Sequence, residues 1–351
     1  MRAIIVNAPG DIRYVEVEKP RVGPGDVLIR VCFCGVCGTD LAILNGDMSF
    51  VREGLIKYPV RIGHEWSGIV EEVGAEVTKV KPGDKVVGDN GVACEKCRNC
   101  LAGDYLHCLN SRAVGTVNCW DGAFAEYMIM PQRHIYKLPE QIGLEEAALI
   151  EPASIALNGV KASGIHENSS VLVIGTGPIG LAGVSLVRNA GVKKLLLAGR
   201  KDGKLEVGKI MGADITVNVT KESLKDIVMR ETDGEGVSAV IETSGAISSI
   251  NEALDYIADS GIISLIGFYE KELNGFNIDK VVLGKIQIRG VAGEPVMQEV
   301  IDLMASGALK LKPLITHKVS FDEAIDAFIN ITEKNESKIK ILVEVTKNEE
   351  A

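Results

Sequence analysis

The chain has no long apolar stretch and no excess of positive charge, and both absences limit its possible functions. None of its apolar runs approaches the length of about 18 residues that a membrane-spanning helix needs. Only Arg2 precedes the apolar run from Ala3 to Val6, which is too short for a signal peptide. Lys and Arg number 38 against 48 Asp and Glu, which argues against nucleic acid or an anionic membrane as a partner. We therefore expect a cytoplasmic protein.

The eight cysteines are not spread along the chain as they are in a secreted scaffold held by disulfides. In a cytoplasmic protein, clustered cysteines are more typical of metal binding or catalysis than of disulfides. Seven of them fall into two clusters, one of Cys32, Cys34 and Cys37 and the other of Cys94, Cys97, Cys100 and Cys108.

The length of 351 residues and a change of pattern near Pro152 indicate two domains. Before this point, short alternating runs are separated by turns with Gly and Pro, which predicts a mostly antiparallel, barrel-like β domain. Its predicted strands are Ala3–Val6, Tyr14–Val17, Val27–Cys32, Gly68–Val73 and Lys85–Gly88.

After Pro152, strand-like runs alternate with helical segments, which predicts a parallel sheet covered on both faces. The predicted strands are Val171–Ile174, Leu195–Ala198, Thr216–Val217, Ala239–Glu242, Ile262–Gly267 and Ile286–Arg289, and the helices include Leu181–Ala190, Lys204–Met211, Leu224–Thr232 and Ile250–Ala258. A tail then follows, with predicted helices at Val296–Ala305 and Glu323–Ile331, strands at Thr316–Val319 and Ile339–Val345, and a frayed end at Lys347–Ala351. We expect the tail to complete the first domain, so that the domains are 1–152 with 296–351, and 153–295.

The segment Val171–Gly180 carries the clearest binding motif of the second domain. A buried apolar run leads into a glycine turn, and apolar residues at helical spacing follow. Such a turn offers backbone N–H groups and the positive end of a helix dipole to a diphosphate. The pattern alone is weak, but the strand before it and the helix after it favour a dinucleotide site. The expected cofactor contacts here are Gly175, Gly177, Pro178, Ile179 and Gly180.

The end of the next predicted strand indicates which dinucleotide binds. Where a fold that prefers NAD usually has an acid for the ribose 2′-hydroxyl, this chain has Gly199, Arg200 and Lys201. Gly199 leaves room for a 2′-phosphate, and Arg200 offers a planar guanidinium that can bind it. We expect NADP, with NAD as the alternative. In that alternative Arg200 and Lys201 are solvated and Asp202 binds the ribose.

The cluster Cys94-x-x-Cys97-x-x-Cys100-x7-Cys108 predicts a metal site within one loop. Its two-residue gaps let successive sulfurs turn toward one ion, and four thiolates complete the tetrahedron that zinc accepts. With no open position, such a zinc is structural. An iron–sulfur cluster is the alternative.

Two other segments carry residues suited to a catalytic metal. Gly35–Asp40 contains Cys37, and Gly63–Gly68 contains His64 and Glu65. One thiolate, one imidazole and an adjacent carboxylate would leave a zinc coordination position free for a substrate. Taken singly, Cys37 is equally compatible with a buried core cysteine and His64 with a core histidine.

In combination, these motifs resemble the zinc-dependent medium-chain dehydrogenase/reductase superfamily, to which alcohol and polyol dehydrogenases belong. The resemblance covers essentially the whole chain. It implies an α/β protein with a GroES-like β-rich catalytic domain, a doubly wound Rossmann domain and an active site in the cleft between them. It also implies a homodimer or homotetramer formed through the last strand of the nucleotide domain, near Ile286–Arg289. The motifs that carry it are Cys37–Asp40, Gly63–Glu65, Cys94–Cys108, Glu151-Pro152 and Gly175–Gly180.

The resemblance also implies the ligands of the catalytic zinc. Cys37 and His64 are similar to ligands of this zinc, with Glu65 and Glu151 as alternating or additional ones. A carboxylate at position 151 is more similar to the sorbitol and threonine dehydrogenase branch than to alcohol dehydrogenases of the liver type. Asp40 is expected to accept a hydrogen bond from the second nitrogen of His64.

The implied proton path begins at Thr39, whose hydroxyl stands where the family relays the substrate proton. Many relatives continue this path with a histidine, and Ala42 occupies that position here. The exit of the proton beyond Thr39 therefore stays open, and a chain of water molecules is one way to complete it.

The implied activity is oxidation of a small secondary alcohol to its ketone, or the reverse. The metal would acidify the bound alcohol, and a nicotinamide held alongside would accept its hydride. We expect two Zn²⁺ per chain and a polyol, cyclitol or sugar alcohol as substrate, with the loop Gly46–Pro59 and Glu294 near it. One alternative is a threonine or amino-alcohol dehydrogenase. Another is a non-catalytic nucleotide-binding or structural protein.

Overall fold

The computed structural model describes residues 1–293, 296–330 and 338–346. Within these ranges the chain divides into two compact units. The first contains residues 1–151, 317–330 and 341–346, and the second contains residues 152–293, 296–316 and 338–340. No helix of the described ranges combines the length and apolar character that crossing a membrane requires.

The first unit contains β1 (Arg2–Ala8), β2 (Asp11–Glu16), β3 (Asp26–Gly35), α1 (Gly38–Asn45), α2 (Ser49–Arg52), β4 (Glu65–Val73), β5 (Lys85–Gly88), β6 (Gly91–Val92), α3 (Arg98–Leu101), β7 (Arg112–Ala113), β8 (Tyr127–Pro131), β9 (Ile135–Lys137) and α4 (Leu144–Ala147). Helix α5 (Ile150–Ala162) leads the chain into the second unit.

The second unit contains β10 (Ser170–Ile174), α6 (Pro178–Asn189), β11 (Lys194–Gly199), α7 (Asp202–Ile210), β12 (Ile215–Asn218), α8 (Leu224–Glu231), β13 (Val237–Glu242), α9 (Ile247–Ala253), β14 (Ile257–Leu265), α10 (Ile278–Leu283), β15 (Gln287–Gly290) and α11 (Met297–Ala305). The tail contains β16 (Ile315–Ser320), α12 (Ala324–Asn330) and β17 (Lys340–Glu344). Three single 3₁₀ turns lie at Gln132–His134, Lys312–Leu314 and Phe321–Glu323.

Strand β3 is the centre of the β-rich unit. It pairs antiparallel with β4, β8 and β17 in a sheet of order β16-β17-β3-β4-β5-β9. Most of its residues are buried, because the sheet curves around an apolar core. The tail contributes to this core through Phe328 of α12, whose ring meets that of Phe124 edge-on with centroids 5.1 Å apart.

The second unit is a parallel sheet of order β12-β11-β10-β13-β14-β15. After β12 the chain crosses to the other side of β10, so the strand order reverses between β10 and β13. In such sheets ligands bind outside the carboxyl ends of the strands at this switch point. The predicted α/β class, a β-rich unit combined with a doubly wound parallel sheet, is confirmed.

Several bounds differ from the sequence prediction. The second unit extends to residue 316 rather than 295, because the segment after α11 packs with it, and Asn189 donates a hydrogen bond to the carbonyl of Ala308 at 2.7 Å. Helix α9 ends at Ala253, well before the predicted Ala258, since the chain enters β14 at Ile257. Glu294, Ile331 and the predicted frayed end, Lys347–Ala351, lie outside the described residues.

Candidate metal and cofactor sites

Cys37 is fixed at the N-cap of α1 by Asp40. The backbone N–H of Cys37 donates to Oδ2 of Asp40 at 2.9 Å, as in a capping box. The other oxygen, Oδ1, accepts from the backbone N–H of Gly63 at 3.2 Å. One fully buried carboxylate therefore joins the turn that carries Cys37 to the segment that carries His64.

Two glycines make room for His64 and Glu65. Gly63 has φ 99°, a conformation that L residues rarely adopt. A Cβ on Gly63 would lie 2.6 Å from Cδ2 of Phe124 and 2.8 Å from its backbone nitrogen. Gly35 is paired with Glu65 across β3 and β4, and a Cβ on Gly35 would collide with the carboxylate of Glu65. The register of this strand pair thus sets where the carboxylate lies.

The structure brings Cys37, His64 and Glu65 together. One donor atom from each lies within 4.8 Å of the others. His64 is 4% exposed and Glu65 is 2% exposed, whereas Cys37 is half-buried. A thiolate, an imidazole and a carboxylate at such separations form a donor set that suits catalytic zinc and leaves a position open.

The electrostatics of this group favour a cation. Burial lowers the pKa of His64, but Cys37 and Asp40 outweigh burial and raise this pKa well above its ordinary value. Burial has the opposite effect on Asp40: it raises the pKa of this carboxyl group, whereas the charge of His64 lowers it. The hydrogen bond expected between His64 and Asp40 is not formed: Oδ1 of Asp40 lies 3.6 Å from Nδ1 of His64, and that nitrogen has no hydrogen-bond partner within the described ranges, because Oδ1 accepts from Gly63 instead. Sulfur, imidazole and carboxylate donors lie together in this group, so the residues fit zinc.

Glu151 lies outside this set of three donors. It is buried in the first turn of α5, and its Oε1 accepts a hydrogen bond from Nδ2 of Asn90 at 3.5 Å. Its charge contributes to the raised pKa of His64, which places it in the neighbourhood of the group. Thr39 lies half-buried in the first turn of α1. Asn90 could not be predicted as a partner of Glu151 from the sequence, because its position in the chain forms no motif with the metal ligands.

The four cysteines of the loop form a second metal group. Their sulfurs, those of Cys94, Cys97, Cys100 and Cys108, all lie within 4.8 Å of one another. All eight cysteines are in the described part of the chain, and each is a free thiol. Backbone N–H groups, that of Lys96 first, lower the pKa of Cys94 to about 6. Such a thiol is readily deprotonated for metal binding. The group supplies four sulfur donors, as a structural zinc site does.

The glycine turn between β10 and α6 has the geometry of a diphosphate site. Gly175 has φ 112°, and a Cβ there would lie 2.5 Å from Oγ1 of Thr243. Gly177 is the N-cap of α6, and a Cβ there would meet nothing within 4 Å, so its surroundings are open to a ligand. A Cβ on Gly180 would collide with the carbonyl of Gly175. Pro178 and Ile179 form the first turn of the helix. The three glycines thus provide the turn, the open approach and the close packing of the dinucleotide motif.

Cationic residues gather where β11 meets α7. Gly199 ends the strand, Arg200 is exposed and Lys201 is the N-cap of α7. Lys204, one helical turn farther on, is half-buried, and burial together with the charge of Lys201 lowers its pKa. Sequence reasoning missed Lys204, although its spacing of four residues from Arg200 was the available signal.

Asp202, the alternative ribose acceptor, already has partners. Its Oδ1 accepts from Nδ2 of Asn218 at 2.7 Å, and its Oδ2 pairs with Lys221. Both oxygens therefore fasten the start of α7 to the end of β12. This arrangement favours a structural role for Asp202 over ribose binding.

Two family models match the chain. One, described as an alcohol dehydrogenase GroES-like domain, covers residues 23–140, and the other, described as a zinc-binding dehydrogenase, covers residues 178–306. Together they span more than half of the sequence. The chain belongs to the zinc-dependent medium-chain dehydrogenase/reductase superfamily.

Individual relatives of this dehydrogenase agree with the family models. It is 36% identical over 334 residues to the L-threonine 3-dehydrogenase of Pyrococcus horikoshii, covering 93% of this chain and 94% of that protein. It resembles a putative zinc-binding dehydrogenase from Sinorhizobium meliloti bound to NADP, with a TM-score of 0.90, 30% identity and 98% of both chains covered. It also resembles an Escherichia coli alcohol dehydrogenase complexed with NADH, with a TM-score of 0.89, 30% identity and coverage of 98% and 99%.

The predicted family and fold are therefore confirmed, and so is the prediction of an enzyme. The chain is a zinc-dependent, nicotinamide-dependent oxidoreductase of the alcohol dehydrogenase type. Zinc binding by the family also favours zinc over an iron–sulfur cluster at the four cysteines.

Serine substitutions distinguish the two metal groups. We expect about two Zn²⁺ per chain in the wild type and about one in either Cys37→Ser or Cys100→Ser, because a serine hydroxyl is a poor zinc ligand. Cys37→Ser should lower kcat/KM by more than about 100-fold. Replacing a residue that only hydrogen-bonds to a metal ligand already lowers activity roughly 10–100-fold, and Cys37 is expected to be a ligand itself. Cys100→Ser should mainly lower the thermal midpoint. Elemental analysis, steady-state kinetics and thermal melts give the three readouts. Two retained zinc ions in Cys37→Ser would contradict the assignment.

Proposed function

We propose that this dehydrogenase interconverts a secondary alcohol and its ketone with NADP(H), and that its substrate is a polyol, cyclitol or sugar alcohol. The convergence of donor atoms from Cys37, His64 and Glu65 in one compact group carries the proposal. Zn²⁺ held by these three residues supplies a Lewis acid that acidifies the substrate alcohol. The three protein donors leave one position of a tetrahedral ion for the substrate oxygen.

The remaining residues of the first unit orient the ligands and move the proton. Asp40 holds the backbone of Cys37 and that of Gly63, the residue before His64, so it positions the segments of two ligands at once. Glu151, held by Asn90, is the additional or alternating carboxylate. Thr39 accepts the substrate proton and passes it toward solvent. Ala42 has no polar group to continue this path, and water therefore completes it.

The nucleotide residues of the second unit favour NADP. The open surroundings of Gly177 admit the diphosphate at the N-terminus of α6. Arg200, Lys201 and Lys204 bring three positive charges to one helix start, and a 2′-phosphate offsets their mutual repulsion. A nicotinamide cofactor bound by these residues would supply the hydride acceptor.

An amino alcohol of the L-threonine type is the second candidate substrate. The similarity to the Pyrococcus horikoshii enzyme supports it, since 36% identity extends over 93% of this chain. Ala42 is the observation against it, because the family resemblance implies a histidine at this position in many relatives. A metal ion held by Cys37, His64 and Glu65 would activate the hydroxyl of either substrate class in the same way, so the ligand set does not distinguish them.

We also propose that copies of the chain associate along β15, as a homodimer or homotetramer. This strand ends the parallel sheet, and all four of its residues are exposed. The neighbouring helix α10 exposes Ile278, Val282 and Leu283, each by at least 60%. A cytoplasmic location, where thiols stay reduced and able to bind zinc, is part of the same proposal.

A substrate panel tests the proposed activity. Polyols, cyclitols, sugar phosphates and amino alcohols, including L-threonine, are assayed with NADP⁺ and with NAD⁺ while nicotinamide reduction is followed by absorbance. We expect the highest kcat/KM for a polyol or cyclitol with NADP⁺. If L-threonine exceeds every polyol, the second candidate is correct. If no secondary alcohol is oxidised by the zinc-replete enzyme, both are wrong.

Replacing Arg200 tests the cofactor preference. We expect Arg200→Asp to raise the Kd of NADP⁺ at least about tenfold more than that of NAD⁺, because it exchanges a charge-assisted bond to the 2′-phosphate for repulsion. Lys193→Asp changes the net charge equally at an exposed position before β11 and should leave both constants unchanged. Equal effects of Arg200→Asp on the two cofactors would refute the phosphate site.

The oligomeric state tests the role of β15. Light scattering behind a sizing column should give the mass of two or four chains at micromolar concentration. Leu283→Asp, which places a charge on an 81% exposed apolar side chain, should shift the mass toward one chain without lowering zinc content. A wild-type monomer under these conditions would contradict the proposal.

A further inference from the structure

A fully buried carboxylate lies at the end of β13, next to the glycine turn. Oε1 of Glu242 accepts hydrogen bonds from the backbone N–H of Ser244, at 2.9 Å, and from its hydroxyl. Oε2 accepts from the hydroxyl of Tyr269 at 2.6 Å and from the N–H of Gly245 at 3.3 Å. Glu242 is 0% exposed, and these donors replace the water it has lost. We call Glu242, Ser244, Gly245 and Tyr269 the Glu242 clamp.

The Glu242 clamp joins the loops that follow two neighbouring strands. Ser244 and Gly245 follow β13, whereas Tyr269 follows β14. The two backbones are in close contact, because a Cβ on Gly267 would lie 2.8 Å from Cα of Gly245. Tyr269 thereby ties the second loop to the first through the carboxylate.

The same segment touches the diphosphate turn. Oγ1 of Thr243, between Glu242 and Ser244, donates to the carbonyl of Ile174 at 2.8 Å. A Cβ on Gly175 would lie 2.5 Å from Oγ1 of Thr243, and a Cβ on Gly180 would lie 2.6 Å from the same atom. A shift of the loop after β13 would therefore disturb one side of the glycine turn.

The strand order indicates which part of the cofactor lies over the clamp. Strand β11, which leads to Arg200, is on one side of β10, and β13 is on the other. With the diphosphate at the glycine turn and the 2′-phosphate at Arg200, the nicotinamide half extends across the carboxyl ends of β13 and β14. This step rests on the proposed use of NADP.

We propose that Tyr269 is a positioning residue for the nicotinamide half of the cofactor, acting through Glu242 on the loops after β13 and β14. Burial, and then the bond to Glu242, raise the pKa of Tyr269, so its hydroxyl stays a donor throughout the working pH range. A phenylalanine at this position keeps the ring but leaves Oε2 with the longer bond to Gly245 alone. The loop after β14 then loses its tie to the carboxylate.

The test compares a complete cofactor with a fragment that lacks nicotinamide. We expect Tyr269→Phe to raise the Kd of NADP⁺ and NADPH about tenfold. This factor corresponds to the free energy of one hydrogen bond to a buried charged group. The Kd of adenosine 2′,5′-bisphosphate should not change. Ser244→Ala, which also removes one donor to Glu242, should act in the same direction. Calorimetry or fluorescence on the zinc-loaded enzyme measures each constant.

Tyr256→Phe is the matched control. This tyrosine belongs to the same unit and is 2% exposed, and its hydroxyl has no hydrogen-bond partner within the described ranges. Its removal should leave every dissociation constant unchanged.

Three outcomes would count against the proposal, and they differ from one another. Unchanged NADP⁺ binding in Tyr269→Phe would overturn the role of Tyr269. An equal loss of NADP⁺ and of the bisphosphate would show a general structural defect instead, which overturns it as well. A wild-type enzyme that binds neither compound would refute the proposed cofactor, and with it this inference.

Discussion

The buried carboxylate of Asp40 is the contact on which the candidate catalytic site depends. It accepts hydrogen bonds from Cys37 and Gly63, which belong to separate segments, and it faces the imidazole of His64. Together with the pairing of Gly35 and Glu65 across β3 and β4, it holds the turn of Cys37 against the segment of His64. A buried carboxylate is stable only with such partners, so the fold and the metal ligands constrain each other.

A second constraint is the shared edge of the parallel sheet. The carboxyl ends of β11, β10 and β13 carry, in that order across the sheet, the cationic residues from Arg200 onward, the glycine turn and Glu242, and a bound dinucleotide would meet them in the same order. Each strand contributes one short segment, and the fixed spacing of strands places these segments correctly. Cofactor binding therefore requires few residues that are specific to it.

The sequence predicted those parts of the site whose residues are close in the chain. The spacing of four cysteines and the glycine turn are local patterns, and each proved to be one compact group. The proximity of Cys37 to His64 was predictable only from the family resemblance, because it depends on the register of β3 and β4 and on the contacts of Asp40. Lys204 and Tyr269 were missed, since their roles follow from burial and from a bond between loops. Likewise, the apolar pattern of α11 does not say which unit it covers.

Chemistry and selectivity reside in different residues of this enzyme. In the proposed reaction, Cys37, His64 and Glu65 would hold the ion that binds the reacting oxygen, and this oxygen is the same in a polyol and in an amino alcohol. Discrimination must come from side chains near the neighbouring carbons, where a hydroxyl and an ammonium group differ in charge. Ala42 carries no charge, whereas the buried carboxylate of Glu151 contributes a negative one to the surroundings of His64. A negative neighbour accepts hydrogen bonds from both groups, and an ammonium gains more from it. In the proposed reaction, substrate choice would therefore depend on how much of that charge a bound zinc ion offsets.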